Sequence, residues 1–138
     1  MPNLEDTIVD IEPAMERFFG CSGKMLKPSI ATIAGILDEV PAGQITTTAL
    51  LRSELAQRFS VEITCPYDTK MALQAIAADP SAKAAYWRVV KANGELIKKY
   101  PGGIAGHAER LRKEGFTVDA TGKSAKVSKF RDRLARFS

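Results

Sequence analysis

Apolar positions along the chain fall into blocks with helical spacing, separated by short extended pieces. Ile30, Ile33, Ala34 and Leu37 recur three and four apart behind Ser29. A helix capped by Ser29 is predicted there, ended by Val40-Pro41-Ala42-Gly43. One of Thr46, Thr47 and Thr48 caps a second helix that buries Leu50, Leu51 and Leu55 and runs toward Phe59. Val61 and Ile63 form a short extended piece ending at Pro66. Asp68 or Thr69 then caps a third helix carrying Met71, Leu73, Ala75 and Ile76, closed by Asp79-Pro80. Tyr86 to Lys91 is β-rich. Asn93-Gly94 predicts a two-residue type I′ turn, with Leu96 and Ile97 on the return strand. After the tight loop Tyr100-Pro101-Gly102-Gly103 a further helix runs to about Glu114 and stops at Gly115. Val127, Phe130, Leu134 and Phe137 share one face of a last, basic amphipathic helix capped by Ser124, whose apolar stripe predicts docking on the domain. The segment up to Phe19 is acidic and interrupted by Pro13, and Gly20 to Pro28 reads as a loop.

Helices, a small hairpin and another helix make the pattern of a winged helix-turn-helix, mainly α with a small β-hairpin. Such domains most often place one helix in a groove of duplex DNA, and some are protein-interaction modules. The 138 residues suit one core, and a composition 45% hydrophobic and 26% charged excludes a disordered chain. No apolar run is long enough to span a membrane, and the acidic N-terminus has no readable signal peptide, so a cytoplasmic, nucleoid-associated location is expected. Cys21 and Cys65 are expected reduced. With the single His107, read as a surface helix residue, they are too few and too scattered for zinc, so neither metal nor cofactor is expected.

Charge changes this picture. The net charge is +4, yet residues 1–16 hold five acids and no base, while residues 120–138 hold six bases against Asp132. A basic end suits a polyanion, because each phosphate neutralised releases a counterion. It equally suits a solvated tail. Three segments are expected: an acidic extension over 1–27, a winged-helix domain over 28–116 and a basic tail over 117–138.

Two segments carry a more specific signal. PAGQITTTALL, from Pro41 to Leu51, resembles the P-x-G-x-V-x-T/S-Y-G segment of the O6-alkylguanine-DNA alkyltransferases. YWRVVKANGELIKKYPGG, from Tyr86 to Gly103, is similar to that family's PCHRVV segment and the Y-x-GG that follows it. Glu114-Gly115 closes the match, which spans Pro28 to Phe116. Cys65-Pro66 and Tyr86-Trp87-Arg88 resemble an alkyltransferase-like subgroup with YWR in place of PCHR.

The resemblance implies a scaffold whose acceptor centre is rewritten. In the family a cysteine thiolate takes the alkyl group from a flipped guanine, helped by a histidine that a glutamate orients. Tyr86 stands at the cysteine position, Trp87 at the histidine, Glu114 at the glutamate and Asp79 at an active-site asparagine. A phenol is a poor nucleophile toward an alkyl carbon, so no catalytic residue is expected. By the same resemblance Lys70 stands at the arginine finger that fills the hole left by a flipped base. Met71 and Gln74 stand on the recognition helix, and Thr48 at a tyrosine that helps rotate the phosphate. Thr46 and Thr47 are expected to donate to phosphate, with Tyr86 lining the flipping pocket and Arg88, Lys91, Gly102 and Gly103 also beside DNA. The implied function is a non-enzymatic, monomeric DNA-binding protein that recognises modified guanine by nucleotide flipping and hands it to other repair proteins. Two other readings stay open: an interaction module that lost its pocket, with Tyr86 and Trp87 filling a core, and an alkyltransferase using Cys65.

Overall fold

A computed structural model describes residues 2–122 and 124–137; Lys123, counted among the basic residues of the tail, lies outside them. The helices form where capping and apolar spacing coincide. Ser29 Oγ accepts from Thr32 N–H (3.1 Å) at the start of α2 (Ile30–Leu37), and Thr47 Oγ1 accepts from Leu50 N–H (3.1 Å) at the start of α3 (Thr48–Arg58). α4 (Pro66–Ala78) begins before Asp68 and Thr69, contrary to expectation. Cys65 precedes it, and Pro66 at the first helical position brings its preset φ. Asp68 and Thr69 are buried inside its first turn; Thr69 donates back to the Cys65 carbonyl (2.8 Å), and Lys27 reaches Asp68 at 2.7 Å. α5 (Gly103–Lys113) ends before Gly115, whose φ of 90° reverses the chain.

The N-terminal segment departs from its reading. β1 (Thr7–Asp10) pairs antiparallel with β2 (Lys24–Lys27), inside the stretch read as a loop, and β2 pairs parallel with β4 (Ile63–Thr64). Pro13 starts α1 (Pro13–Phe19) rather than interrupting a helix. Asp6 links this segment to the domain, accepting from Ser29 N–H (2.7 Å) and from the Thr32 hydroxyl (2.6 Å) at the head of α2.

β3 (Thr46–Thr47) pairs parallel with β5 (Val89–Val90). Tyr86 to Arg88, expected extended, form a single 3-10 turn ahead of β5. The following turn is not type I′. Gly94 has φ +86° while Asn93 does not have a positive φ, and Lys91 both accepts from Gly94 N–H (2.8 Å) and donates to Glu95 C=O (2.9 Å). The return segment pairs with the tail: Leu96 N–H donates to Ala125 C=O (3.0 Å) and Val127 N–H to Gly94 C=O (3.0 Å). The tail itself is no α-helix. It forms β6 (Val118–Asp119) and β7 (Lys126–Val127), an antiparallel pair, then a 3-10 turn over Phe130–Arg133. Ile45 N–H donates to Arg133 C=O (2.9 Å) and Ala135 N–H to Ile45 C=O (2.8 Å), so neighbouring backbone replaces the bonds of a helix.

Two apolar clusters result. Leu26, Ile33, Leu37, Leu51, Leu55, Leu73, Ile76, Tyr86 and Tyr100 make the first. Ile45, Val90, Leu96, Leu111, Phe116, Val127 and Phe130 make the second. Trp87 packs against both. The architecture is the expected helical domain with a small wing, enlarged by strands from both ends of the chain.

Candidate nucleic-acid interface

α4 borders two concave features. The first is a groove of about 360 Å³ lined by Thr48, Arg52, Lys70, Gln74, Lys91, Ile97, Lys98 and Lys99. Among the described residues five cations line it and no carboxylate does, so it attracts anions and extended backbone charge. The structure brings together here four residues singled out in the sequence: Thr48, Lys70, Gln74 and Lys91. Arg52, Lys98 and Lys99 were missed, although the Lys98-Lys99 pair sits within the segment that carries the family resemblance.

The second is a cleft of about 550 Å³ at the C-terminal end of α4. Its walls include Ala77, Ala78, Asp79, Lys83, Tyr86, Trp87, Pro101 and Arg110. Tyr86 packs edge-on against Trp87 (centroids 5.3 Å apart) and Tyr100 (4.8 Å), which fixes its ring while leaving it on the cleft wall. Asp79 Oδ1 accepts from Ser81 N–H (2.9 Å) and Oγ (2.7 Å), and these bonds hold its carboxyl below the ordinary range. Lys83 and Arg110 were not anticipated. Only the packing of α5 against Trp87 brings Arg110 there.

Beneath the cleft lies a polar lattice. Trp87 Nε1 donates to Glu114 (2.9 Å), and the Arg88 guanidinium donates to the same carboxylate through Nε (3.0 Å) and Nη2 (2.8 Å). Arg88 Nη1 donates to Val40 C=O (2.7 Å). Burial pushes the Glu114 carboxyl up, and the Arg88 and Trp87 donors outweigh it, leaving the group below its usual value. Arg88 is therefore an anchor between the end of α2, the 3-10 turn and α5, with its Nε, Nη1 and Nη2 donors committed to Glu114 and Val40.

The expectations for the two threonines and for His107 change. Thr46 is fully buried in β3, and Thr47 is buried with its hydroxyl on the α3 cap, so neither presents a donor to phosphate. His107 is buried rather than on the surface: Nδ1 accepts from Ile97 N–H (3.0 Å) and Nε2 donates to Trp87 C=O (2.8 Å). Burial lowers its pKa to about 4. Met71 is half-buried on α4 and lines neither feature. Gly102 and Gly103 form the head of α5 with φ of +79° and +65°, next to Pro101 on the cleft wall. Cys65 is buried, and desolvation pushes its thiol pKa up. Among the described residues no group of three or more His, Cys, Asp or Glu could hold a metal ion, and no helix is long and apolar enough to cross a membrane.

No protein-family model matches the chain, and no curated protein matches it in sequence. Solved structures do match. S. pombe Atl1 in complex with damaged DNA containing O6-carboxymethylguanine is 17% identical with a TM-score of 0.59. S. pombe ATL in complex with DNA is 17% identical with a TM-score of 0.60. Each match covers 78% of this chain and 94% of the other. The chain shares the fold of those proteins. The two features beside α4 are thus carried on the fold of those two structures.

Proposed function

We propose that this chain is a monomeric, non-catalytic DNA-binding protein that recognises a duplex carrying a modified guanine. The altered base leaves the stack and enters the cleft beside Tyr86 and Trp87, while the groove of Lys70, Lys91, Lys98 and Lys99 holds the backbone. One observation carries the reading: α4 contributes Lys70 and Gln74 to a cation-lined groove and its last residues, Ala77 and Ala78, to an aromatic cleft. A single helix joins a phosphate-attracting surface to a cavity of ordinary ligand size. The fold shared with a protein bound to damaged DNA supports it. Extruding a base costs a few kcal/mol, less when it is damaged, so selectivity needs no covalent step.

The site's chemistry supports a binding role. An indole N–H is a donor only, so Trp87 cannot take a proton, and its N–H is on Glu114. Both nitrogens of His107 are engaged. Cys65 precedes the first residue of α4, about 18 Å along the helix axis from Ala77 at 1.5 Å per residue. Its buried thiol is disfavoured as thiolate. A lesion held without reaction then passes to other repair proteins.

The chain holds one tryptophan, Trp87, so its fluorescence reports the cleft directly. Titration with matched duplexes, with and without O6-alkylguanine, is expected to give tighter binding and a larger change in Trp87 emission for the modified duplex, with no mass added to the protein. Equal affinity and equal emission change for both duplexes would overturn damage recognition, and a mass adduct would overturn the non-catalytic role.

A further inference from the structure

We infer that the cleft favours guanines whose O6 substituent ends in an anion, and that Arg110 reads that charge. The inference rests on the base-binding reading above and names the class of lesion. Arg110 is exposed on α5, with its guanidinium carbon 4.6 Å from the centroid of the Trp87 ring and 5.8 Å from that of Tyr86. Stacking on an indole holds the guanidinium plane and leaves its N–H edges free. No carboxylate lies within 4.0 Å of it among the described residues. The acids nearest in sequence are engaged elsewhere: Glu109 lies 3.5 Å from Lys113, and Glu114 holds Arg88 and Trp87.

The rest of the cleft agrees in sign. Lys83 lines it with a second exposed cation. Asp79 is the one carboxylate in the lining among the described residues, and its Oδ1 is occupied by Ser81. A base seated against Tyr86 and Trp87 therefore meets an oriented, unpaired fork of donors. A neutral alkyl group gains only apolar contact there. A carboxylate on a short arm gains charge-assisted, bidentate hydrogen bonds. Arg110 belongs to the aromatic cleft and not to the Lys70 groove, which separates this role from a general grip on phosphate.

The test is fluorescence anisotropy of the full chain with four duplexes that differ at one guanine: unmodified, O6-methyl, O6-carboxymethyl and the uncharged O6-carbamoylmethyl. The carboxymethyl duplex is expected to bind roughly tenfold tighter than its amide, as charged hydrogen bonds at a half-open site allow. Arg110→Ala removes that preference while still distinguishing modified from unmodified DNA, and Arg110→Lys keeps part of it. A thermal melt of each variant checks folding, which an exposed α5 residue should not disturb. Equal binding of carboxymethyl and carbamoylmethyl duplexes overturns the inference. So does a weakening by Arg110→Ala that is the same for all four, which marks a phosphate contact. If the unmodified duplex binds as tightly as the other three, the base-binding reading fails first and takes this inference with it.

Discussion

His107 stays neutral because both of its nitrogens are already committed in a dry site. A second proton on Nδ1 would eject the Ile97 N–H that it accepts, and burial lowers the pKa to about 4. The unfolded chain keeps an ordinary value near 6.5. Between those values the unfolded state holds one more proton than the folded state, so stability is full above pH 6.5 and falls as pH drops toward 4. The loss amounts to about 3 kcal/mol over that window. As the chain has a single histidine, urea midpoints at pH 7, 6 and 5 isolate the effect. A slope approaching one proton is expected near pH 5, and flat stability from pH 7 to 5 would refute the assignment. Sequence spacing could not reveal this burial, since a histidine three residues before Arg110 fits an exposed helical face equally well. The pairing of Trp87 with Glu114 was legible in part. The resemblance put them at two linked positions, and in the structure the indole N–H donates to that carboxylate.

At the scale of elements, the tail depends on the turn before it. Gly94 has φ +86°, and a Cβ there would lie 2.5 Å from the Phe130 ring. Gly94→Ala therefore combines backbone strain with displacement of a buried aromatic. It is expected to lower stability by about 2 kcal/mol or more in a denaturant titration. The same substitution at Gly115, also at positive φ but with nothing within 4 Å, costs only the backbone strain and is the matched control. The Asn-Gly pair announced a turn, and the turn type followed from what surrounds it. Val127 and Ala125 take up the backbone of Gly94 and Leu96, and Gly94 alone of the Asn-Gly pair has a positive φ. The tail's three-and-four spacing was read as an α-helix for a sound local reason. It became strand and 3-10 turn because Gly94, Leu96 and Ile45 supply backbone partners that a lone amphipathic segment does not reveal. The apolar residues Val127 and Phe130 are buried either way.

Across the whole molecule, charge is sorted by position in the fold. The acids of the N-terminal segment are partly structural: Asp6 holds the head of α2, and Asp10 pairs with Lys24. The cations of the α4 groove have no acid among the groove's lining residues. If they hold DNA phosphates, the slope of log affinity against log salt drops by about 0.9 for each one removed. Lys70→Ala and Lys99→Ala are each expected to shift that slope by this amount on modified and unmodified duplexes alike, measured by anisotropy between 50 and 200 mM salt. An unchanged slope in both variants would place the backbone elsewhere on the surface. Sequence reasoning found Lys70 and Lys91 by resemblance, and it missed Arg52, Lys98 and Lys99. Cations on a helix, a turn and a loop become one groove only when α3, α4 and the wing pack together.

Local chain chemistry was enough for α2 and α3 with their hydroxyl caps and for the stop at Gly115. These depend on residue type and neighbours a few positions away. Packing alone decided the burial of Thr46 and His107, the anchoring of Arg88, the strand in the tail and the stacking of Arg110 over Trp87. Each of those rests on partners more than ten residues distant in the chain, or on competition for a backbone bond or an apolar surface that no short segment encodes.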